Sequence, residues 1–291
     1  MLRYAGNLGV SVAVFLTVAA APAAAQRIDY HRVIEIARVQ QIATLQMTND
    51  ALLMTMSIDA DLRSSHLRSA RVDFDRNLKA LRDGDPALGL PEAVDPQTLD
   101  GLESALDLWT RTDAILRSGQ ARTSFTDEEL LDIAGQGQRI RDGIADAVEF
   151  YAGEAKASQM ASMVNVAIDE TGNARLLSQR ISNEFLMIVH GLQADRYRRQ
   201  LIESIADFER RLNGLVDGDV DLLLLPAPTD ALRSRLRRLQ IAWQEDLEPL
   251  MRRVIDGGSL TPEQIAEAAR LNRTIFDETT VAIGEYRRLM P

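Results

Sequence analysis

Side chains able to do covalent or acid–base chemistry are few in this chain. It has no cysteine, which removes thiol nucleophiles, disulfides and thiolate metal sites together. Its histidines, His31, His66 and His190, show no His-Glu-x-x-His or comparable ligand spacing. Each is expected at the surface or a helix boundary, and no metal centre is expected. There is no Gly-x-Ser-x-Gly elbow, phosphate loop or dinucleotide fingerprint, and no cofactor is implied. Carboxylates abound, but with arginine neighbours on helix faces they read as surface ion pairs. Catalysis is therefore not expected. The segment that stands out is Gly172-Asn173-Ala174-Arg175-Leu176-Leu177-Ser178-Gln179-Arg180. Wound as a helix, it puts Arg175, Ser178, Gln179 and Ser182 on one polar face, beside an apolar stripe of Leu177, Ile181, Phe185 and Ile188. Periodicity alone makes that polar face an ordinary solvated one; the alternative is a polar stripe used for binding.

The elements that carry this segment come from a pattern written twice. A shift of 134 residues places Phe74 on Phe208, Leu78 on Leu212, Leu81 on Leu215 and Asp83-Gly84-Asp85 on Asp217-Gly218-Asp219. The same shift pairs Trp109 with Trp243, Asn49 with Asn183, and Ala60-Asp61 with Ala194-Asp195. With one extra residue the register continues from Thr126 to Thr261 and from Tyr151 to Tyr286. An internal duplication follows, with one unit over residues 30–157 and a second over 158–291.

Apolar residues recur at spacings of three and four, with no sustained alternation to argue strands, so the fold class is all-α: two tandem up-and-down four-helix modules. In the second unit the helices are expected over Met160–His190, Asp195–Leu215, Asp230–Ile255 and Pro262–Leu289. The third carries Leu232, Leu236, Leu239, Trp243, Leu247 and Leu250 as its core stripe, with a bend expected at Pro249. Capping boxes open the last helix of each unit at Thr126–Glu129 and Thr261–Gln264. Leu222 to Leu225 follow the second Asp-Gly-Asp turn and either plug the bundle end or meet a partner. No proline lies between Glu128 and His190, so the modules can share one continuous helix; Gly153 is the expected break otherwise.

Residues 1–25 read as a signal peptide: Arg3, an apolar run from Leu8 to Ala20, then Ala21-Pro22-Ala23-Ala24-Ala25, with cleavage expected after Ala25. The product is periplasmic or secreted; an uncleaved leader would instead anchor the chain in the inner membrane. Removing Arg3 takes the formal net charge from −10 to about −11, with arginines mixed among more numerous acids, so nucleic acid is not an expected partner.

The run Gly172-x-x-Arg175-x-x-Ser178-Gln179-Arg180, followed by Phe208, Leu212, Leu215, Asp217-Gly218-Asp219 and the tryptophan-bearing third helix, resembles the N-terminal sensor module of PilJ-type chemotaxis transducers. It is also similar to the related periplasmic domain of nitrate/nitrite sensor kinases. The resemblance covers the second unit well and the first more faintly. It implies a helical bundle that receives an extracytoplasmic signal, with Arg175 binding a small anion near a helix–helix dimer contact and Ser178, Gln179 and Arg180 as accompanying ligand-site residues. A guanidinium making two parallel hydrogen bonds to a planar oxyanion is physically reasonable. Gln179 and Arg180 could equally serve packing between units.

The first unit departs from this pattern, with Gln41, Thr44 and Gln46 where the second has Arg175, Ser178 and Arg180, so an anion site is expected to be single or built across a homodimer. The sequence shows no second membrane stretch, kinase or methyl-accepting coiled coil, which leaves output to a separate membrane-bound signalling partner. Two functions result: an exported ligand-binding sensor, or a docking protein of the cell envelope without a ligand. Fold alone does not separate them.

Overall fold

The computed structural model describes residues 29–158 and 163–289. Its order is α1 (Tyr30–Thr55), α2 (Ala60–Asp83), α3 (Pro96–Arg122), α4 (Asp127–Ser158), α5 (Met163–His190), α6 (Ala194–Asp217), α7 (Asp230–Ile241), a π-helical turn (Ala242–Leu247), α8 (Glu248–Ile255) and α9 (Pro262–Arg287). Among the described residues there are no strands, only the isolated bridges Asp85–Leu90 and Asp219–Leu224. The leader lies outside the described residues, as does the junction of α4 and α5. The helix passes unbroken through Gly153, so the break expected there does not occur.

Helix starts follow local chemistry. Asp95 accepts from the Thr98 N–H at the start of α3, and reciprocal side-chain bonds close both expected boxes, Thr126 with Glu129 and Thr261 with Gln264. In the first half α1 packs on α2 and α4, and α3 on α2 and α4; in the second, α5 packs on α6 and α9, and α7 on α6 and α9. Each set is an up-and-down bundle. The tryptophans take matching places. Trp109 stacks on Phe74 at 4.4 Å and donates to Asp75, while Trp243 stacks on Phe208 at 4.7 Å and donates to Glu209.

The single extra residue of the second half is located by the π-helical turn. Before it, Trp109 and Trp243 correspond at a shift of 134. After it, buried Leu116 corresponds at 135 to Met251, not to Leu250. Of the expected core stripe, Leu250 is partly buried against the core, while its neighbour Met251 is the deeply buried residue. A π turn inserts one residue into an α-helix, and here Pro249, which has no N–H to donate, follows it directly in the first turn of α8. Close approach differs too. Gly101 and Gly143 let α3 and α4 touch backbone to backbone, since a Cβ at Gly101 would stand 2.6 Å from the Gly143 carbonyl oxygen. The positions that follow by the same shifts hold Arg235 and Glu278, which form an ion pair between α7 and α9.

The halves meet where α1 packs on α5, and one hydrophobic cluster runs through both. At this seam the Asn183 amide donates to the Asn49 amide oxygen at 3.1 Å, joining two residues 134 positions apart. Most buried polar side chains among the described residues belong to α1 or α5. The Asp219 loop only partly seals its bundle: Leu224 is buried, but Leu223 and Leu225 are exposed.

Candidate functional site

The polar face of α5 is not solvated. Arg175, Ser178, Gln179 and Ser182 are all buried, because that face turns toward α1 and α9. Ser178 spends its proton on the backbone, donating to the Arg175 carbonyl at 2.8 Å. Arg175 is only 5% exposed, and among the described residues it has no carboxylate partner. Its Cζ lies 5.8 Å from the centre of the Phe276 ring, and its Nε makes no hydrogen bond. Burial holds its pKa below the usual arginine value; nearby Glu35 opposes this, and Arg287 and Arg38 add to it.

Arg175 borders a cleft of about 580 Å³ between the first turns of α1 and α5 and the end of α9. Arg38 there pairs with Asp169 at 2.9 Å and Arg287 with Glu35 at 2.6 Å. Gly172 leaves room for Arg38 to lie across α5, its absent Cβ being 3.2 Å from the Arg38 guanidinium. A buried guanidinium with free donors and no counter-ion is a position that an anion would relieve, since an unpaired buried charge is costly.

The other residues singled out with Arg175 do not converge on it. Gln179 faces a separate cavity of about 260 Å³ between α1, α2, α5 and α9. Arg180 lines a third, smaller cavity and binds Glu184 at 2.9 Å. Gln41, one repeat before Arg175, donates to the Arg141 carbonyl on α4 and so belongs to the first bundle. Further cations at this cleft are Arg32, Arg38 and Arg287, whose positions no short motif marks.

Two buried carboxylates also escape a reading of periodicity, Asp50 and Glu184. They stand one repeat apart, next to the paired Asn49 and Asn183, and that acid-after-asparagine recurrence was the available signal. Asp50 has Arg63 at 3.4 Å, and burial pushes its carboxyl up to about 7 against the pull of Arg63. Glu184 accepts from Arg180 and from Ser204 at 3.1 Å, and burial raises it too. Arg141, close by, is lowered to about 10 by burial and by Arg180.

Comparison with known families finds one similarity. Residues 157–271 match the PilJ family. Its description is type IV pili methyl-accepting chemotaxis transducer N-terminal region. The match runs from the end of α4 into α9 and contains Arg175, Ser178, Gln179 and Arg180, so this region of the chain is similar to the N-terminal region of such transducers. No curated protein and no solved structure matches the chain. Among the described residues, no helix of the PilJ region or of the first half is long and apolar enough to cross a membrane.

Proposed function

We propose that this chain is an exported sensor whose ligand is a small oxyanion held at Arg175, and whose output passes through a separate membrane-bound partner. The observation that carries the reading is the Arg175 guanidinium: buried, without a carboxylate and bordering an open cleft. The PilJ match supports the sensory role, and the similarity to nitrate/nitrite sensors suggests the ligand class. The two units are read as diverged copies of one module, of which the second kept the arginine. With Arg38 paired to Asp169 and both Arg287 and Arg32 beside Glu35, Arg175 is, among the described residues of this cleft, the guanidinium without a carboxylate partner, so a homodimer that juxtaposes two PilJ regions would bind more tightly. Cleavage of the leader after Ala25 would place the site outside the cytoplasm.

A docking protein without a ligand is the second reading. It is favoured by the tip of the Asp219 loop, where Val220 is 87%, Leu223 70% and Leu225 55% exposed. Thermal denaturation with nitrate, nitrite, sulfate, phosphate and formate separates the two. A ligand that binds only the folded state raises the melting temperature in proportion to the logarithm of its concentration. The sensor reading expects such a rise for at least one planar oxyanion; a flat response to all five leaves the docking protein.

A further inference from the structure

The cavities on either side of the Asn49–Asn183 contact are related by the same shift of 134, and one of them is filled by its own protein. On the Glu184 side the carboxylate holds the Arg180 guanidinium at 2.9 Å and the Ser204 hydroxyl at 3.1 Å, and the remaining space is about 60 Å³. One repeat earlier the carboxylate is Asp50, but the residue matching Arg180 is the uncharged Gln46. Tyr197 is matched by Arg63, and Arg63 reaches Asp50 at only 3.4 Å. The space left is about 260 Å³, room for a small molecule rather than a drug-sized one.

What lines this larger cavity is mixed in kind. Asp50 accepts. Arg63 Nε is a buried donor without a partner, and Asn272 Oδ1, on a fully buried side chain, is an acceptor without one. Arg273, exposed and in a surface pair with Asp277 at 3.2 Å, stands at the rim with His66 and with Asp73, which Arg76 holds at 3.4 Å, and Gln179 and Ser182 complete the wall from α5. Unsatisfied donors and acceptors in one polar cavity each incur a desolvation penalty that a matching ligand would remove. A simple anion would answer Arg63 and Arg273 but would stand against Asp50. A simple cation would answer Asp50 and Asn272 but leave Arg63 Nε unmet.

We infer that the Asp50 cavity is a binding site for a small zwitterion of the α-amino acid class, its ammonium taking against Asp50 and Asn272 the place that Arg180 takes against Glu184, and its carboxylate facing Arg63 and Arg273. This site lies further along the same α1–α5–α9 seam than the Arg175 cleft, with its own lining residues, and does not depend on the oxyanion reading. Gln179, which falls in the PilJ region, then contributes to an amino acid site formed jointly with the first unit.

Calorimetry of the full chain with the common L-α-amino acids, and with propionate and ethylamine as half-ligands, tests this. At least one amino acid should bind, and neither half-ligand alone should. Asp50→Asn should weaken that binding about tenfold or more, as expected for loss of a charged hydrogen bond. Gln46→Arg, which writes the Arg180 arrangement into this cavity, should abolish binding while the melting temperature holds or rises. Heats absent for every amino acid in the folded wild type, equal binding of a half-ligand, or full affinity in both variants would overturn the assignment.

Discussion

Leu223 holds a backbone conformation that its side chain disfavours. Its φ is +56°, where the matching position of the first unit is Gly89 at +71°. A bulky residue in the left-handed region costs about 1–2 kcal/mol, and Leu223, largely exposed, recovers little of that by burial. Leu223→Gly should therefore raise unfolding stability by about 0.5–1 kcal/mol after the entropy penalty of glycine, read by urea denaturation; a loss would mean that the side chain contributes contacts outweighing the strain. Asp50 gives a pH-dependent prediction. Its folded pKa, about 7, lies above the unfolded value of 3.8, so the fold binds the extra proton between those limits. Stability from this group is unaffected below about 4, falls as pH rises from 4 to 7, and stays reduced above. Asp50→Asn should thus be more stable than wild type at pH 8, by roughly 2–4 kcal/mol at most, with the gap closing toward pH 4. A difference independent of pH would contradict a buried, proton-holding carboxyl.

At the scale of the helix, small sequence changes decide how neighbouring helices meet. Gly101 and Gly143 bring α3 onto α4, whereas Arg235 and Glu278 bridge α7 to α9. Gly101→Ala should cost roughly 2 kcal/mol, the range for over-packing, because the clash is with backbone that cannot swing away; unchanged denaturation would show that the helices separate freely. Much of this level was legible in sequence. Helix existence followed from three–four spacing, the starts at Thr126 and Thr261 from their capping boxes, and the matching places of the tryptophans from the repeat. The π-helical turn was not legible in detail. One extra residue was visible in the register, but whether a loop or a helix absorbs it depends on tertiary packing around Trp243, and so the deeply buried Met251 beside the partly buried Leu250 was missed. Gly153, the alternative break, does not interrupt α4, because a lone glycine costs a helix only about 1 kcal/mol, which the packing of α4 overrides.

For the whole molecule, the seam between α1 and α5 is the feature that periodicity hides. A polar stripe on an amphipathic helix ordinarily faces water, and here it faces a second set of helices. The residues near Arg175 come from α1, α5 and the end of α9, elements separated by more than a hundred positions, and nothing in the motif predicts that Arg180 turns to Glu184 instead. The seam makes both binding assignments possible, because it buries polar groups without satisfying all of them. On the proposed function, Arg175 is held in reserve for an external anion. Isothermal titration calorimetry of the folded chain and of Arg175→Ala with nitrate and nitrite tests this most directly. The account predicts measurable binding by wild type that weakens about ten- to hundredfold in the variant, the loss expected for one charged hydrogen-bonding group. Equal heats from both proteins, or none from either, would contradict it.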